Sequence, residues 1–263
     1  MTKRSPVLLS ALVFGYAFLY LPIALLVLWS FNESRMVTVW GGFSTVWYKE
    51  LAHNDAFLDA ALLSLRVAAT SATGALILGT LAALALVRFG GFRGRGLFAG
   101  LVAAPLVMPE IILGLAMLLM FVALEQVIGW PEGRGFTTIA IAHTTVGMAY
   151  ATVVVRSRLA TMDSSLEEAA MDLGARPVKV FFLITLPVIA PSLAAAWLLA
   201  FTLSLDDVVV AQFVSGPGAT TLPIEVFSSV RLGLSPQINA LGTIIVAVVA
   251  TIIFTASRLM KRR

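Results

Sequence analysis

Glu110 and the adjacent pair Asp206-Asp207 interrupt stretches of chain that are otherwise almost wholly apolar. An acid at bilayer depth costs about 2.5–3.5 kcal/mol on insertion scales, so such residues mark a candidate path or partner site. Carboxylates attract ammonium groups, and with apolar or aromatic walls they suit a flexible cation with methylene spacers. Neighbouring helical residues point about 100° apart, so Asp206 and Asp207 need not share a task. One is free to face a path while the other caps backbone groups or pairs with Arg231. Glu110 follows Pro105 and Pro109, and either lines the path or ends a buried helix. His143, in AIAHTTVG, is read as a proton relay or as a side chain hydrogen-bonded to a neighbouring helix. Trp197, Phe201 and Phe213 read as packing residues.

A second constellation lies between Ser157 and Pro187. Ser164 and Ser165 are helix N-cap residue types, each with a glutamate three residues on (Glu167 and Glu168), the spacing of a capping box. Gly174 is placed to end that helix in the left-handed conformation, and Pro177 to open the next one, VKVFFLIT. Leu166, Ala169, Ala170 and Leu173 share one face. That face is shallow and suits a partner's cleft, while the following helix leads through Pro187 into a membrane span and can carry motion there.

These residues need a membrane bundle to position them. Of 263 residues, 59% are hydrophobic and only 12% charged, against roughly 25% charged in soluble domains. The apolar content falls in spans of the length that crosses a bilayer. Six are expected, at about 7–30, 59–87, 97–124, 137–155, 188–210 and 238–257, with a coupling loop at 157–187, all in a single domain 1–263. Pro105 and Pro109 predict a break in the third span. Small residues along the second, among them Ala72, Gly74 and Gly79, predict close packing against other helices. The outer loop, about 31–58, is expected to carry a short interfacial helix, WYKELAHN. Gly216, Pro217 and Gly218 read as an outer turn.

The basic residues set an orientation. Lys3 and Arg4, then Arg88, Arg93 and Arg95, then Arg156, Arg158, Arg176 and Lys179, then Arg258, Lys261, Arg262 and Arg263 flank alternate spans. The positive-inside rule places them and both termini in the cytoplasm. The first span is too long for a signal peptide and is expected to stay uncleaved. A net charge of +4, spread in membrane-flanking pairs and triplets, argues against nucleic-acid binding. With no cysteine, disulfides and thiolate metal sites are excluded, and no metal site is expected. None of the four lysines lies in a GxxxxGK[ST] loop, and HExxH and GxSxG are absent, so energy must arrive from a partner.

Glu168-Ala169-Ala170, Gly174, Ile184, Leu186 and Pro187 match in type and spacing the EAA signature of type I ABC importer permeases, which the chain resembles. The stretches FLYLPIALLVLWSFN, APLVMPE, EEAAMDLGARPVKVFF and LAFTLSLDDVVVAQFVSGPGATTLP extend the likeness to the polyamine branch, and within it to the second permease of putrescine importers. The resemblance implies an all-α membrane protein of type I ABC importer (MetI-like) fold, with six transmembrane helices and a cytoplasmic coupling helix. It implies a non-catalytic subunit that passes putrescine or spermidine across the bacterial inner membrane by alternating access. The implied partners are a sister permease in a heterodimer, two ATPase subunits that bind the ATP and Mg, and a periplasmic polyamine-binding protein. Competing readings are a permease for another cationic or small polar solute, and an ion-coupled secondary transporter. The second leaves the EAA loop unexplained, and no internal repeat supports it.

Overall fold

The computed structural model describes residues 6–36, 39–233 and 235–260. The orientation signals at Lys3, Arg4, Lys261, Arg262 and Arg263 lie outside the described residues. Twelve α-helices are formed among the described residues: α1 Pro6–Trp29, α2 Val46–Ala52, α3 Asp55–Arg88, α4 Arg95–Val107, α5 Glu110–Ile128, α6 Phe136–Thr161, α7 Ser165–Asp172, α8 Pro177–Val180, α9 Leu186–Asp206, α10 Val209–Val214, α11 Leu222–Leu232 and α12 Pro236–Met260. A π-helical turn, Phe181–Thr185, joins α8 to α9. Among the described residues, five stretches are long and apolar enough to cross a membrane: Val7–Trp29, α3, α5, α6 and the run Pro177–Asp206.

The chain forms two compact units, 1–58 with 226–263, and 59–225. In the first, α1 and α12 pack where Gly242 admits Leu26. Its loop is organised by Asn32, whose side chain accepts the Gly41 amide at 2.8 Å and donates to the Val39 carbonyl at 2.8 Å. Trp47 of α2 is buried and its indole N–H donates to the Asn32 carbonyl at 2.6 Å. The short helix expected in this loop forms, and its Trp47 closes the loop. A buried indole must pair its N–H, and Asn32 supplies the partner. Gln237 of α12 ties to the same helix through Glu50 and to Asn54 just beyond it.

The second unit carries the candidate sites. Three apolar clusters stack along α6. One gathers Val67, Phe121, Ile139 and Val214. The middle one is built from Ala72, Ala75 and Ala200, and the last from Ala83, Val155, Leu159 and Ile189. Small side chains let α3, α6 and α9 approach closely, as packing in lipid requires. A Cβ on Gly147 would sit 3.0 Å from the Ala75 methyl and 3.3 Å from that of Ala200. The third span is broken as its prolines predict: α4 ends at Val107, Met108 is extended, and Pro109 precedes α5, which starts at Glu110.

Candidate functional site

The break between α4 and α5 and the end of α9 meet at one cavity of about 320 Å³. Glu110, Asp206 and Asp207 all line it, together with His143, Val146, Gly147 and Tyr150 of α6. Residues 143, 147 and 150 recur at helical spacing, so one face of α6 forms a wall. Ala200, Leu203 and Ser204 of α9 form the wall beside it. The sequence therefore scatters three acids over about a hundred residues, and the fold returns them to one apolar-walled space.

The acids are not equivalent. Asp207 is extended at the end of α9, and its carboxylate accepts the amides of Val210 at 3.3 Å and Ala211 at 2.7 Å. Those are the free N–H groups of α10, a role that carboxylates fill at helix starts. Its Oδ2 also lies 3.1 Å from His143 Nε2. The other ring nitrogen of His143, Nδ1, bonds to Ser204 Oγ at 2.6 Å, and Ser71 Oγ donates to the same Ser204 at 3.1 Å. The histidine is thus a buried tie between α6 and α9, and Asp207 takes it as partner. The Arg231 guanidinium lies over the Phe227 ring of its own helix. Asp206 and Glu110 are exposed to the cavity, and among the described residues neither carboxylate has a side-chain partner. The buried helix-terminus reading of Glu110 is corrected accordingly: it starts α5 but is open. Trp197 and Phe201 stack on each other at 5.0 Å, and the Trp197 indole donates to Thr73 of α3.

The second constellation folds as helix, turn, helix. α7 ends in a Schellman turn: Gly174, at φ +84°, donates to the Met171 carbonyl and Ala175 to that of Ala170. An L side chain at that φ is strained, which gives the glycine of the motif a backbone reason. Pro177 opens α8 behind an extended Arg176. Leu166, Ala169, Met171 and Leu173 are exposed, Leu173 by 90%. Glu168 is exposed with them, while Ala170 is partly covered. Ile184 packs into the apolar cluster of Val155, Leu159 and Ile189, and Leu186 and Pro187 begin α9.

The capping boxes expected at Ser164 and Ser165 do not form. Asp163 accepts the Ser165 amide, while the Ser164 carbonyl takes those of Glu167 and Glu168. Glu167 points elsewhere. Its Oε2 lies 2.8 Å from Arg88 Nε at the end of α3, and its Oε1 accepts the Thr185 hydroxyl at 2.5 Å. Sequence spacing favoured the local bond, and nothing in the sequence places Arg88, 79 positions upstream, beside it. The π turn was also unforeseen, although Pro187 signals it. Proline has no N–H for the Leu183 carbonyl, and the ladder slips one residue so that Leu186 N–H bonds to Phe181.

Comparison with known proteins places both constellations in context. Residues 75–263 match the model of the family described as binding-protein-dependent transport system inner membrane component. The putrescine transport system permease protein PotI of Escherichia coli K12 is 59% identical over 98% of this chain and 92% of its own length. The spermidine/putrescine transport system permease protein PotC of the same organism is 41% identical over 94% of this chain and 90% of its own. A bacterial ABC transporter involved in import of the acidic polysaccharide alginate superposes with a TM-score of 0.71, covering 99% of both chains at 18% identity. The MetNI methionine ABC transporter in an inward-facing conformation superposes at 0.59, covering 77% of this chain and 94% of the other at 16% identity. The fold is that of type I ABC importer permeases, and the relatives are transport permeases. With five stretches among the described residues apolar enough to span, this is a multi-pass inner-membrane protein. By family match and by relatives over nearly its full length, the chain belongs to the inner-membrane components of binding-protein-dependent transport systems.

Proposed function

We infer that this chain is the permease half of an ATP-driven importer whose cargo is a polyamine, putrescine before spermidine. The observation that carries the cargo class is the convergence of Glu110, Asp206 and Asp207 on one apolar-walled cavity, in a chain 59% identical to a putrescine permease. Two of the three carboxylates are unpaired and available to ammonium groups. Val146, Tyr150 and Leu203 offer walls for methylenes. An anion would meet like charge at low dielectric here and be repelled.

The chain works with a sister permease, two ATPase subunits that hold ATP and Mg, and a periplasmic binding protein that delivers the amine. The basic loops and both termini face the cytoplasm, so α7 presents Glu168, Ala169, Ala170 and the Gly174 turn to the ATPase. Ile184, Leu186 and Pro187 root that lever in the membrane bundle. ATP-driven closure of the ATPase pair moves α7, the permease pair opens outward, and hydrolysis resets it inward. Alternation between two states, each favoured by different ligands, is what turns binding energy into direction.

The test is uptake of labelled putrescine into proteoliposomes holding all four kinds of subunit. Uptake is expected to need ATP on the ATPase side and the binding protein on the other. Uptake driven by an ion gradient without ATP would establish the secondary-transporter reading instead. Competition that ranks another cation above both polyamines would move the cargo assignment.

A further inference from the structure

We propose that Glu167, the residue before the EAA signature, is the clamp that converts motion of α7 into motion of the membrane helices. The inference rests on the reading that α7 docks an ATPase, and it assigns a task to a residue outside the signature. One carboxylate joins three elements. Oε2 faces Arg88 Nε at 2.8 Å at the end of α3, and Oε1 takes the Thr185 hydroxyl in the π turn that leads into α9. The Arg88 and Glu167 side chains are only 23% and 13% exposed. Among the described residues, Arg88 Nε and Nη2 are both buried without a hydrogen-bond partner, so the 2.8 Å charge contact with Glu167, an ion pair and not an aligned hydrogen bond, is the compensation that this cation has.

Burial gives the clamp its stiffness. An exposed ion pair in water is weak and exchanges partners freely. Removing one partner of a buried pair strands the other charge, so both stay together through a displacement. The rest of α7 has little hold on the bundle. Leu166, Met171 and Leu173 are exposed, and none of the helix's residues is fully buried. Without Glu167, a push on α7 would be spent in bending the loops at either end. With it, the push reaches α3 directly and α9 through Thr185.

The same two membrane helices meet again beside the cavity. Ser71 of α3 bonds to Ser204 of α9, which bonds to His143, and His143 faces Asp207. Thr185 and Ser204 are separated by about 28 Å of helix at 1.5 Å per residue. A tug at the clamp thus acts on the pair of helices whose far portions hold the cavity's polar network.

The experiment is made on the assembled importer in proteoliposomes, with three readouts: co-purification of the ATPase, ATP hydrolysis stimulated by the loaded binding protein, and putrescine uptake. E167Q and R88M are expected to co-purify with the ATPase and to lower uptake per ATP hydrolysed by about tenfold or more, less than the full cost of breaking a wholly buried pair because both side chains keep some exposure. The exchange R88E/E167R, which restores opposite charges, is expected to recover at least part of that loss. Uptake per ATP equal to wild type in E167Q overturns the clamp, as does an exchange no better than either single variant. Wild type that fails to co-purify with any ATPase overturns the docking reading itself. E168K separates the two: it is expected to lose co-purification, which E167Q retains.

Discussion

Two pairs of adjacent acids, Glu167-Glu168 and Asp206-Asp207, are used in the same way at opposite ends of α9. In each pair one carboxylate is tied down: Glu167 by Arg88 and Thr185, Asp207 by His143 and two amides of α10. In each pair the other is exposed, Glu168 beside the apolar face of α7 and Asp206 into the cavity. The roughly 100° between neighbours on a helix makes this division available wherever two acids are adjacent. The difference lies in what is held. Glu167 spans elements far apart in sequence, so under the proposed clamp its loss would disconnect a lever. Asp207 caps the helix that follows it and takes its other partner from α6, so its loss loosens a wall. Under the proposed function, the tied acid positions and its exposed neighbour is the one left to meet partner or cargo.

The largest effect is expected at the exposed acid of the loop. Glu168→Lys inverts the charge offered to the ATPase, and uptake is expected to fall by about 100-fold or more, the cost of a wrong charge at a recognition surface. Retained assembly and retained uptake would remove α7 from the docking surface. Next comes Asp206→Asn, which takes a charge from the cavity without removing a structural bond. Uptake is expected to drop by about tenfold, ~1.4 kcal/mol in transition-state terms, with binding-protein affinity and thermal stability unchanged. Asp207→Asn should show the reverse emphasis: weaker acceptance of the α10 amides, a lower unfolding temperature, and a smaller loss of uptake once protein amount is corrected. If the two asparagine variants behave alike, the division of labour between tied and exposed acid is wrong at this end.

Whether a residue was legible depended on whether its partner was close in sequence. Gly174, Pro177 and the α4–α5 break were readable because a left-handed turn, a missing N–H and a proline kink are local facts. The EAA signature was readable as a pattern, and with it the fold. Partners across the bundle were not. Ser164 and Glu167 had the spacing of a capping box, yet a part-buried Arg88 outcompetes a solvated N-cap bond for the carboxylate. Arg231 looked like the partner of the aspartates by charge alone, whereas His143 and the α10 amides reach Asp207 through tertiary packing. Trp47 was legible only as part of a short loop helix, and its buried indole partner, Asn32, is 15 positions away. The cavity itself was invisible, since Glu110 and Asp206 are brought together only by how α5 and α9 run beside α6.

The network behind the tied aspartate offers a finer test. His143→Ala removes both hydrogen bonds of the ring and leaves Ser204 and Asp207 each short of a buried partner. It is expected to cost about 1–3 kcal/mol of stability, read as a lower unfolding temperature in detergent, with uptake falling because the cavity wall is looser. Recovery of both by His143→Gln, which keeps a donor and an acceptor, would mark the residue as a tie and not as a proton carrier.

The smallest effect is expected at the far end of that network. Ser71 shares its hydroxyl between the Ala68 carbonyl of its own helix and Ser204 of α9. Its replacement by Ala removes a donor but strands no charge, because Ser204 keeps His143 and the Ala68 carbonyl keeps its place in the α3 ladder. Ser71→Ala is therefore expected to cost about 0.5–1.5 kcal/mol, the net worth of one such bond, with uptake close to wild type. A larger loss of uptake than Asp206→Asn produces would mean that the contact between α3 and α9, and not the exposed acid, sets the rate of passage. The tied network would then be the moving part, and the cavity's free carboxylates would serve only to admit the amine.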